Sequence, residues 1–242
     1  MHIVARVIKE GHRVTWLECS QVLPASRLKE VLESSDRLSD ELVDDDEQDR
    51  ERIEAQLKLV NCLTTLTLSS LLSLLLHSKV SGGRSSAVPE DTALLVIDDL
   101  TTIYNAAFPP DNHKDTNTKK QRILSILADC LTRLAITENI AVLVLSKLTS
   151  KITRGGPAQL ESPFGDVWSS HCTSRVVLYR DFYAKKLSLL DDDEIRWVAV
   201  QKAANRNILE PVGLPIKISN GTQSEPKFPT LVEAEHRHDN DA

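Results

Sequence analysis

Two apolar runs in this chain end in charged residues, and an amphipathic pattern lies between them. Residues 92–99 read TALLVIDD and residues 139–147 read NIAVLVLSK. Near-continuous apolar runs of this length are how strands covered on both faces of a sheet read. In the segment between them, Ile123, Leu124, Leu127, Cys130, Leu131 and Leu134 recur at the spacing of one helix face. Strand, helix and strand in that order argue for a parallel sheet with helices packed on it.

The flanking segments extend the pattern. IVARVIKEG reads as the last turns of a helix that stops at Gly11, and RVTWLE, residues 13–18, as a buried strand. A helix is expected from about Ala25 to Leu32, after a proline-containing turn. The acidic run SDELVDDDEQDRERIEA reads as a solvated loop merging into a helix, an insertion near residues 36–52. From Ile53 to His77 the pattern reads as helical, and its later half, LTTLTLSSLLSLLLH, is apolar enough to lie against a sheet. Residues 147–163 read as a flexible stretch. SRVVLYR and EIRWVAVQK then read as an antiparallel pair joined through LSLLDDD, and ISN before Gly221 as a last short strand. The expected architecture is an α/β fold: a mostly parallel sheet flanked by helices, with an antiparallel edge. One core is expected over residues 1–221, followed by a disordered tail at 222–242.

Composition removes several classes of function. The net charge is −6, so any nucleic-acid contact must come from a local patch. Cys19, Cys62, Cys130 and Cys172 are far apart and form no CxxC pair, which fits a reducing compartment better than a disulfide or zinc framework. The opening MHIVARVIKEGHRV lacks the apolar core of a signal peptide. The most apolar window, Leu63 to Leu76, falls short of the roughly 20 residues that span a bilayer. A soluble intracellular protein is expected, with no membrane partner.

In parallel sheets, ligands sit beyond the carboxyl ends of the strands. Glu18, Asp98 with Asp99, and Ser146 with Lys147 all stand at such ends. From the residues alone, Asp98 and Asp99 read more readily as strand-end caps for the following helix than as a metal site.

Four blocks in one order carry a resemblance: VTWLECSQVLPASRL, ALLVIDDL, AVLVLSKLTSKI, and PFGDVWSSHCTSRVVLYR with EIRWVAVQKA. Over roughly residues 5 to 221 they resemble the core of RecA-type recombinases, and more closely the eukaryotic recombinase paralogues. Gly165 to Arg175 is the most diagnostic piece. The resemblance implies a P-loop NTPase core that uses ATP and Mg²⁺, in a nuclear protein of homologous recombination and double-strand break repair. The implied partners are a recombinase or other recombinase paralogues, and single-stranded DNA. By resemblance, Asp98 is the Walker B acid, holding a water of the nucleotide-bound Mg²⁺, with Asp99 and Lys147 beside it. Asp99 also keeps its reading as a helix cap.

The chain departs from the family pattern at three places. A phosphate loop needs GxxxxGK[ST], because backbone N–H groups and a lysine must wrap the phosphates. None of the eight glycines begins that pattern. The resemblance puts the loop and its strand ahead of Met1, leaving a gap in the expected sheet. Ser20 stands where active recombinases carry the glutamate that orients water, with Glu18 as a substitute candidate. Lys147 stands where they carry a γ-phosphate-sensing glutamine; it reads either as a phosphate contact or as a solvated strand end. Lys147, Lys151 and Arg154, next to Gly155 and Gly156, fall where the family has a DNA-binding loop, and equally suit an ordinary surface loop. Two functions follow: a nucleotide-dependent recombination protein, or a non-catalytic interaction subunit on the same scaffold.

Overall fold

Successive side chains of a strand point to opposite faces, and this alternation fixes the architecture. The computed structural model describes residues 1–36, 46–76, 88–89, 91–109, 114–152, 158–180, 195–209, 212–218 and 223–224. The chain divides into two compact units, Met1–Cys172 and Thr173–Ala242.

In the first unit, β1 (Arg13–Glu18), β2 (Val60–Thr64), β3 (Thr92–Asp98) and β4 (Ala141–Val144) form a parallel sheet in the order β2-β1-β3-β4. Val14 and Trp16 of β1, with Leu94 and Val96 of β3, join one buried cluster. That cluster takes in Val4, Ala5 and Ile8 of α1 (His2–Lys9), Leu28, Val31 and Leu32 of α2 (Ala25–Asp36), and Ile53 of α3 (Asp46–Leu57). Leu17, Leu95 and Ile97 point the other way. They meet Leu71 of α4 (Leu68–Leu76), Ile103 of α5 (Leu100–Ala107), Leu127 of α6 (Lys114–Thr137) and Trp168 of α7 (Gly165–His171). Each aliphatic side chain fully buried in these layers contributes about 1.5–3 kcal/mol. Gly11, at φ 80°, ends α1 as its sequence implies.

Three expectations are corrected. Ile53 to His77 is not one helix: α3 ends at Leu57, β2 intervenes, and α4 starts at Leu68, while His77 lies outside the described residues. β2 forms because β1 has a free edge to satisfy, and Val14 to Glu18 pair in register with Val60 to Thr64. β4 is less buried than expected, although Val142 and Val144 pack on one helix layer and Leu143 on the other. It is the sheet's edge, Ala141 is exposed, and Val142 to Val144 are only half-buried. The stretch from Lys147 to Pro163 contains a two-stranded ribbon, β5 (Thr149–Ile152) against β6 (Ala158–Glu161). β3 pairs with β1 on one side and with β4 on the other, and among the described residues no strand pairs with the outer side of β4.

The second unit holds an antiparallel sheet of its own. β8 (Ile195–Ala203) pairs with β7 (Arg175–Tyr179), β9 (Arg206–Asn207) and β10 (Gly213–Ile218), and β11 (Gln223–Ser224) adds to β10. The β7–β8 pairing is the one read from SRVVLYR and EIRWVAVQK; LSLLDDD lies outside the described residues, as does 225–242. A Cβ on Gly213 would run into the Tyr179 hydroxyl, so any side chain there requires the tyrosine to move. Among the described residues, no helix is long and apolar enough to cross a membrane.

Candidate functional site

The parallel register brings the carboxyl ends of β1, β3 and β4 to one rim. Glu18 lies opposite Asp98, and Ile97 opposite Val144. Backbone bonds continue past the strands: Cys19 N–H donates to the Asp98 carbonyl at 2.7 Å, and Leu145 N–H to the Ile97 carbonyl at 2.9 Å. Leu100 N–H donates to the Leu145 carbonyl at 3.1 Å, so the first turn of α5 is tied to the end of β4.

Ser20, Gln21, Asp98, Asp99, Leu145, Ser146 and Lys147 line a rim cavity of about 270 Å³. Asp99 is the N-cap of α5: one carboxylate oxygen accepts the Thr102 N–H at 2.8 Å and the other the Thr102 hydroxyl at 3.2 Å. The Lys147 ammonium lies 3.2 Å from that second oxygen, and the Lys147 N–H donates to the Thr101 hydroxyl at 2.8 Å. The Asp99 N–H points to the Ser20 hydroxyl at 3.4 Å. Asp98 has no hydrogen-bonded side-chain partner among the described residues. Burial raises its pKa, the neighbouring Asp99 charge raises it further, and Lys147 and the Met1 amine oppose them.

Glu18 takes no part in the cavity. It is buried, and its two oxygens accept the Leu23 N–H at 2.9 Å and the Thr64 hydroxyl at 3.3 Å. Beside it, Cys19 is a buried thiol 3.2 Å from the Thr65 hydroxyl, and burial pushes its pKa up, away from the reactive thiolate. The structure thus brings together Asp98, Asp99, Lys147 and Ser20, and leaves Glu18 behind them. Lys151 sits in β5 opposite Gln159, and Arg154 lies outside the described residues. Thr101 and Thr102 escape the sequence reading, although hydroxyls in the first turn after a strand-end acid are a capping signal. Thr64, the last residue of β2, and Thr65 after it escape it because that stretch reads as helix.

Magnesium binds through one or two carboxylates and keeps several waters. Asp98, half-buried on a polar cavity and with no side-chain hydrogen bond among the described residues, fits that demand; Asp99 is already engaged. No group of three or more His, Cys, Asp or Glu side chains among the described residues is placed to hold a metal by itself. The 242 residues contain no phosphate-wrapping loop of the GxxxxGK[ST] kind, so they fit the metal side of a nucleotide site and not its phosphate side.

No protein-family model matches the chain. A stretch of 91 residues, 37% of the chain, is 32% identical to the DNA repair protein RAD51 homolog 3 of Dictyostelium discoideum. It spans 22% of that relative's length. The crystal structure of the RadB recombinase matches this fold with a TM-score of 0.58 at 14% identity, over 93% of this chain and 84% of the other. The chain has the RecA-like recombinase fold and a distant sequence similarity to a RAD51 homologue.

Proposed function

We propose that this chain, built on a RecA-like recombinase fold, acts in DNA recombination and repair as a protein of the recombinase-paralogue type. The observation that carries the reading is the rim. An acid-ended central strand, β3, presents Asp98 to a polar cavity beside Lys147, at the end of a parallel sheet where such folds place their ligands. The likeness of the fold to the RadB recombinase supports the reading. In this reading ATP with Mg²⁺ is the nucleotide, Asp98 faces the metal through water, and Lys151 with Arg154 contact the phosphates of single-stranded DNA. The partners are a recombinase or its paralogues, in the nucleus. The test adds the purified chain to a RAD51-type recombinase as it coats labelled single-stranded DNA. The chain is expected to raise the coating rate; an unchanged rate at saturating amounts contradicts the reading.

A second reading, a non-catalytic scaffold subunit, has its own support: Asp99 and Lys147 engage each other, and Glu18 is engaged by Leu23 and Thr64. Calorimetry with Mg-ATP separates the two. Saturable binding lost in Asp98→Ala favours the nucleotide-dependent protein, and no heat in either favours the scaffold.

A further inference from the structure

Two adjacent carboxylates at the mouth of one cavity call for positive charge, and the chain supplies some itself. Lys147 is rooted by its backbone N–H on Thr101, and its ammonium reaches back to 3.2 Å from Asp99. The Asp99 side chain is 10% exposed and the Lys147 side chain 70%, so the acid is fixed while the cation reaches it from the solvent side. Asp99 is held on both oxygens by Thr102, whereas the lysine stem has four rotatable bonds and is free to leave. Lys147 also lines the same cavity as Asp98.

We propose that Lys147 is a tethered counter-ion for the Asp98–Asp99 pair, which holds off a divalent cation by charge and determines how readily this rim accepts one. A cation approaching Asp98 meets an ammonium anchored on the next residue. The metal must either displace Lys147 from Asp99 or bind against its repulsion. The reduced pull of Lys147 on a surface-exposed path, screened by water and salt, makes this a graded antagonism and not a block. Lys147 is therefore a specificity-determining residue that makes metal binding depend on whatever draws its ammonium away, such as an anionic ligand.

The inference rests on reading the rim as cation-facing. It needs neither nucleotide nor DNA, so its failure is separable from failure of the DNA-repair reading. The experiment titrates Mn²⁺ into the full 242-residue chain at low ionic strength and follows free Mn²⁺ by electron paramagnetic resonance. Lys147→Gln is expected to bind Mn²⁺ on the order of tenfold tighter than the parent chain. The gain should vanish in Lys147→Gln with Asp98→Asn, and Lys147→Arg, which keeps the charge, should bind like the parent. Lys147→Met, with a matched stem and no charge, repeats the test if the Gln variant does not fold. Binding no tighter in the uncharged variants, or a gain that survives Asp98→Asn, overturns the proposal.

Discussion

The Glu18 carboxylate accepts the backbone N–H of Leu23 at 2.9 Å, closing the turn that leads from β1 into α2. Its other oxygen takes the Thr64 hydroxyl at 3.3 Å, so one buried acid ties this turn to the edge strand β2. A carboxylate held this way positions backbone and is not placed to activate water.

Glu18→Ala therefore leaves the Leu23 N–H without its acceptor in a buried setting. The expected loss is about 2 kcal/mol of stability. Glu18→Gln keeps one acceptor oxygen and should lose less than half of that. Urea denaturation measures both, and an Ala variant within about 0.5 kcal/mol of the parent chain would refute this role.

Asp98 carries a pH signature of opposite sign to that of most paired carboxylates. Its pKa in the folded chain is raised, first by burial and then by Asp99. Its protonated form is thus the one that folding favours. The resulting stability is fully present below the unfolded value of 3.8 and is lost as pH rises through the folded value. Asp98→Asn removes the ionisable group, so the variant should melt higher than the parent at pH 7. That advantage should shrink as pH falls toward 3.8. Thermal melts of both proteins across this range decide it. An advantage that grows on acidification would contradict the assignment of burial as the dominant cause.

The segment Gly165 to Arg175, the most diagnostic for the resemblance, begins beside an aromatic cluster. Phe164 is completely buried, edge-on to Tyr104 at 5.2 Å and tilted against Trp168 at 5.3 Å. Phe164→Ala should destabilise the first unit by about 3–5 kcal/mol through lost contacts and the cavity left behind. Circular dichroism melts report it, and a loss below about 1 kcal/mol would mean that the site collapses without cost.

Much of the architecture was legible because burial writes itself into period. Val14, Trp16 and Leu17 in β1, and Leu94 to Ile97 in β3, alternate between two helix layers, and a run apolar at every position states that both faces are covered. The same logic misjudged β4. AVLV is apolar enough for a central strand, yet its place at the edge follows from strand order, which no local pattern records. β2 was hidden for the opposite reason. VNCLT has no clean alternation, and the leucines that follow at helical spacing absorbed it into a longer helix. The ribbon β5–β6 is built from two short strands of mixed polarity, TSKI and AQLE, with no run long enough to show a period, so only its cross-strand pairing, Thr149 with Glu161 through Ile152 with Ala158, declares it.

At the site, the rim residues could be named from strand ends alone, because parallel strands deliver their carboxyl ends to one side. Their engagements could not. The Lys147–Asp99 pair exists because β3 and β4 are direct neighbours, and Glu18 is occupied because β2 lies beside β1. Both facts belong to sheet order, which decides whether a strand-end acid faces a ligand or a neighbour.

The most direct test of the recombination reading is fluorescence anisotropy of labelled single-stranded DNA with the purified chain at low salt. The account predicts saturable binding that falls steeply with added salt, as phosphate contacts require, and that weakens in Lys151→Ala with Arg154→Ala. Absence of binding, or an affinity unchanged by the double substitution, would contradict it.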